Sequence, residues 1–118
     1  MLTDVPRVLT DRDFIPDCTR IVADIIDSKE GKTTRKEMVY ASWEIDGKRL
    51  RMADLRKELD MGFWHRKQII LTFIDGGTGN QAIYTNRVRP WEDHGGGKGR
   101  QFRFELSYQA NDLVYRRK

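Results

Sequence analysis

Apolar residues fall at 14, 15, 18, 21, 22, 25 and 26, while 17, 20, 24 and 27 are Asp, Arg, Asp and Asp. A recurrence near 3.6 residues with a charged opposite face predicts a helix over about 16–30. Pro16 suits its first position, Asp17 the positive end of its dipole, and Gly31 its C-cap. Before it, 1–15 has no period and reads as an irregular arm. Over Arg35–Ile45 the pattern switches to strict alternation, with Val39, Ala41, Trp43 and Ile45 on one side. Asp46-Gly47 then matches a type I′ turn, which requires positive φ at both central residues, and Lys48–Met52 returns as the second strand.

Ala53–Asp60 predicts a short helix, with Leu55 and Leu59 four residues apart. The run Gln68–Asp75, bounded by Gly76-Gly77-Thr78-Gly79, admits two readings. Its β-branched content favours a central strand turning back into Gln81–Arg89. Alternatively, 63–75 is a second helix, 53–75 becomes a helix-turn-helix, and the later hairpin becomes a wing. Arg100–Tyr108 alternates cleanly, with Phe102, Phe104, Leu106 and Tyr108 facing one way, and Leu113–Tyr115 is short enough to be an edge strand. The expectation is one α+β domain over 1–118: an N-terminal helix, a β-hairpin, a short helix and an antiparallel meander able to curl into a small barrel. A winged helix-turn-helix is the alternative.

Leu, Ile, Val and Phe account for 28 of the 118 residues, enough to build a core; charged residues reach 34%, so the core is thin. The length excludes a dinucleotide-binding sheet with a separate substrate domain, a TIM barrel or a kinase. No apolar run approaches a membrane span, and Met1–Pro6 lacks the basic start and apolar stretch of a signal peptide. The lone Cys18 cannot form an internal disulfide and reads as a small buried residue of a reducing, cytoplasmic interior. Net charge is +4 overall but unevenly distributed, at −3 over 1–27 and +7 over the remainder. Segregated positive charge raises the potential toward polyanions.

Catalytic constellations are incomplete. Cys18, His65 and His94 lack zinc-ligand spacing. Gly77-Thr78-Gly79-Asn80-Gln81-Ala82 fits a dinucleotide fingerprint in letters, but the strand-like sequence after it offers no helix N-terminus for a pyrophosphate, so it reads as a hairpin loop. Pro16-Asp17 with Asp46-Gly47-Lys48 imitates the skeleton of metal-dependent nucleases, yet a helix start and a turn explain both pieces. His94-Gly95-Gly96-Gly97 has no nucleophile elbow to serve, and Ser28, Ser42 and Ser107 have no triad. No catalytic residue, metal or cofactor is expected.

What remains is interleaved basic and aromatic residues. Arg87, Arg89, Trp91, Lys98, Arg100 and Arg103 flank the glycine-rich 95–99 loop, and Lys48, Arg49 and Arg51 cluster at the first hairpin. Cations of this kind neutralise phosphates, and an exposed ring such as Trp91 stacks on bases. The first functional expectation is therefore a non-catalytic protein binding DNA or RNA. In the winged-helix alternative Trp64, His65, Arg66 and Lys67 would enter the major groove instead. The second expectation is a small protein-interaction module (an inhibitor, adaptor or virion component) that docks on a larger partner, with self-assembly into a homo-oligomer also open. No membrane partner is expected.

Overall fold

A two-residue period, not a helical one, organises most of the described residues. The computed structural model describes residues 2, 5–27, 30–39, 43–59, 67–86 and 103–109. Within them run β1 (Val8–Thr10), β2 (Arg20–Asp27), β3 (Lys32–Val39), β4 (Glu44–Ile45), β5 (Lys48–Arg49), α1 (Met52–Glu58), β6 (Lys67–Ile74), β7 (Gln81–Asn86) and β8 (Arg103–Gln109). Six strands form one sheet in the order β1-β8-β7-β6-β2-β3, and β4 pairs with β5 separately. Every pairing is antiparallel.

This overturns the α+β expectation: the described residues form mostly antiparallel sheet with one short helix. The stretch read as an N-terminal helix over 16–30 contains β2, a central strand hydrogen-bonded to both β3 and β6. The physical reason lies in its two faces. Ile21 and Ala23 are fully buried beneath the sheet, and Ile25 packs against the same core. Val22 on the opposite face is also buried, and Ile26 is half-buried. With apolar residues on both faces, alternation is blurred and the positions mimic a helical stripe; four β-branched residues in eight then favour the strand. Gly31 (φ 64°) belongs to the β2–β3 connection rather than to a helix C-cap.

The winged helix-turn-helix is overturned with it. Lys67–Ile74 is β6, so no second helix follows α1 through that stretch. Nor does the sheet close into a barrel among the described residues, because β1 and β3 stand at opposite edges. The predicted single strand over 35–45 is also divided: Lys32–Val39 pairs with β2, and only Glu44–Ile45 belongs to the Asp46-Gly47 hairpin. Asp46 (φ 52°) and Gly47 (φ 77°) do adopt the left-handed conformations that this turn demands.

One sheet face carries the core. Ile69, Leu71 and Phe73 of β6, Ala82 and Tyr84 of β7, Phe104 of β8 and Leu9 of β1 are all fully buried. The Phe73 and Tyr84 rings meet edge-on at 5.6 Å between centroids. Over this face lie Met52 and Leu55 of α1 and its C-cap Leu59, with Leu2, Ile15 and Trp43. Asp54 accepts the Arg51 N–H at 2.9 Å, satisfying one of the helix's first donors. A bulge between β7 and β8 interrupts the alternation read over 102–108. Tyr84 pairs with Leu106 but Ile83 with Tyr108, so Ser107 is passed over, and its hydroxyl donates to Ile83 O at 2.8 Å.

Candidate interaction site

The first candidate surface surrounds Phe14, whose ring is 42% exposed. A β-bridge sets Phe14 opposite Arg51, and β5 brings Arg49 alongside. The Arg51 guanidinium carbon lies 4.1 Å from the ring centroid and that of Arg49 5.0 Å, both within cation–π range. Arg49 Nη2 also donates to Asp17 Oδ1 at 3.1 Å and to Ile15 O at 3.3 Å, and Arg51 Nη1 donates to Arg12 O. Lys48 is exposed next to them.

The electrostatics of this hairpin differ from those of its sequence. Lys48, Arg49 and Arg51 read as a basic cluster only while their neighbours in space are unknown. Register pairing sets Glu44 opposite Arg49, Asp46 occupies the turn, and Asp17 arrives from before β2. Three carboxylates thus accompany three cations. Each exposed ion pair contributes only about 0–1 kcal/mol, but the summed potential toward a polyanion is largely cancelled.

Of the other expected contacts, Arg103 is described and opens β8 opposite Thr10 of β1. Its guanidinium is 3.5 Å from Glu105, a carboxylate on the same strand. Arg87, Arg89, Trp91, Lys98 and Arg100 lie outside the described residues, as do Trp64, His65 and Arg66 of the winged-helix reading. The structure therefore joins Lys48, Arg49 and Arg51 around Phe14 and leaves Arg103 on the sheet with its own acidic partner. Phe14 was missed as a surface ring because local spacing assigned it to the apolar stripe of a helix; no short-range signal links it to Arg51, 37 positions on.

The second surface is a cleft of about 290 Å³ beside the β3 edge. Ile15, Met38, Trp43, Ile45, Leu50 and Leu55 supply its apolar lining, and Asp54, Lys57 and Glu58 of α1 rim it. Trp43 is fixed by its indole N–H, which donates to Cys18 O at 2.6 Å. Ile45 is 60% exposed and Val39, at the end of β3, is 71% exposed. With Phe14 these are the exposed large hydrophobic residues of the described chain. Alternation did point to Val39, Trp43 and Ile45 as one face, but it implied a continuous core strand. In the fold Trp43 and Ile45 line the cleft, whereas Val39, paired with Arg20, lies on the sheet face opposite Met38 and outside that lining.

Burial pushes the Cys18 thiol up to about 12, against smaller opposing hydrogen bonds from Trp43 and the Arg20 backbone. Such a thiol is a poor nucleophile. Among the described residues no group of three or more His, Cys, Asp or Glu side chains is arranged to hold a metal. The dinucleotide-like glycines form the β6–β7 turn, where Gly79 N–H donates to Asp75 O at 2.7 Å and a strand follows. No described helix is long and apolar enough to cross a membrane. Comparison with known proteins gives no match to a family model, a curated protein or a solved structure.

Proposed function

We propose that this chain is a non-catalytic protein-interaction module that docks on a larger partner protein through the cleft beside β3. The observation that carries this reading is the coincidence of Ile45, largely solvent-facing, with the apolar Met38–Trp43–Leu50 wall. Apolar groups gathered at one concave site, with charges confined to its rim, match the anatomy of a binding patch. A reducing compartment such as the cytoplasm suits the single, buried Cys18.

Nucleic-acid binding is the second proposal. It rests on the exposed Phe14 ring held beneath Arg49 and Arg51, a pairing of stacking surface and cations that suits a nucleotide. The balancing carboxylates of the same hairpin weigh against it.

Photo-crosslinking in cells separates the two readings. A benzophenone amino acid is introduced singly at position 45 or 57, both in the cleft lining, and separately at 14 or 48. The docking reading expects discrete protein adducts from 45 and 57. Nucleic-acid adducts from 14 and 48, with no protein adducts from 45 and 57, would replace it with the second proposal.

A further inference from the structure

The β3 strand is an open edge eight residues long, paired with β2 along its whole length and with no strand on its other side among the described residues. An edge of this kind presents unpaired N–H and C=O groups, a template for one more strand. The apolar cleft begins where this edge ends, and Met38 belongs to both. Resting on the docking reading above, we propose that the partner supplies an extended segment that adds to β3 as a further antiparallel strand, with apolar side chains at alternate positions entering the cleft and carboxylates along the rest.

Two observations select this occupant. First, a strand added to β3 points every second side chain to the core side of the sheet, where Met38, Trp43, Ile45 and Leu55 form the cleft. Second, β3 carries Lys32, Arg35 and Lys36 against Glu37, a net charge of +2. Arg35 and Glu37 are ion-paired with Asp24 and Arg20 of β2, whereas Lys36 donates to the neutral Leu59 O, so the excess rests on Lys32 and Lys36. These cations lie toward the start of β3 and the apolar wall toward its end. An antiparallel segment therefore runs from an apolar N-terminal half beside Met38 to an acidic C-terminal half beside Lys32.

The probe is a display library of random eight-residue linear peptides selected on the full-length protein. Enriched sequences are expected to read apolar-x-apolar followed by acidic residues, in that order. The best peptide, synthesised with a fluorophore, should bind saturably and lose at least tenfold in affinity against the Ile45→Asp variant. Ile45 is exposed enough for the fold to survive this change, which circular dichroism checks. Two further versions of the peptide are N-methylated at alternate amides. Only one set of amides faces β3 in a strand pairing, so one version should lose binding and the other keep it.

Equal binding of both methylated versions, or selected peptides without alternation, would overturn the added strand; protein crosslinks from 45 and 57 would then show whether docking itself survives. Two further results would give the cleft to another occupant. One is sedimentation as a dimer that Ile45→Asp converts to monomer. The other is a tenfold gain in peptide affinity on removing residues 110–118.

Discussion

Cys18 and Trp43 hold one another in place. The indole N–H satisfies the Cys18 carbonyl, and both side chains lie within the core beside the cleft. Desolvation keeps the thiol neutral, raising it from about 9.0 to about 12. Because the folded thiol is the weaker acid, the unfolded chain ionises first as pH rises. The contribution to stability is complete below about pH 9 and declines as pH rises through 9 toward 12. Tyr84, raised by burial and then by Asp13, acts in the same direction. At pH 8 iodoacetamide should alkylate folded Cys18 roughly 1,000-fold more slowly than the denatured chain, as read by mass spectrometry against time. Rapid modification without denaturant would mean that the Trp43–Cys18 contact opens in solution. Asn86 makes a comparable contact deep in the sheet, its side-chain oxygen accepting the Ile69 N–H at 2.7 Å. Nothing in the sequence marked that asparagine as buried, since the polar partner it satisfies lies 17 residues away.

At the scale of elements, local chemistry was legible wherever the backbone itself demanded it. Asp46-Gly47 forms its turn, and Leu55 and Leu59 seat α1 and its C-cap against the core. Glycines also join elements. A Cβ on Gly76 would lie 2.8 Å from Thr19 Oγ1, the atom that accepts the Gly76 N–H and anchors the β6–β7 turn to the start of β2. Gly76→Ala should therefore destabilise the protein by about 1–2 kcal/mol, and by clearly less when Thr19 is already alanine. Urea denaturation of the two single variants and the double variant measures that coupling, and additive effects would remove the proposed contact. β2 was misread because Val22 and Ile26 fill its second face, and β1 was not seen because a three-residue strand has too few positions to display a period. Both depend on neighbours supplied by other strands.

For the whole molecule, the sheet order sets a gradient of protection. β2 and β6 have partners on both sides and bury Ile21, Leu71 and Phe73 completely, whereas almost every residue of β3 is exposed. Hydrogen exchange should be slowest in β6 and β2, and fast at those β3 amides that face away from β2. Slow exchange along all of β3 would mean that its edge is already covered. The sequence by itself determined a foldable chain, the 46–47 turn, the short helix and the strand character of the stretches within 81–89 and 100–108, because these follow from backbone preference and nearest neighbours; it favoured a strand over 68–75 but left a helix open there. It also determined the uneven distribution of charge. Only the tertiary structure decided that 20–27 is a strand, that Glu44 and Asp17 balance the hairpin cations, and that Ile45 lines a cleft rather than fills a core. Those outcomes depend on register and on contacts between residues far apart in the chain, where potentials and burial are sums over space.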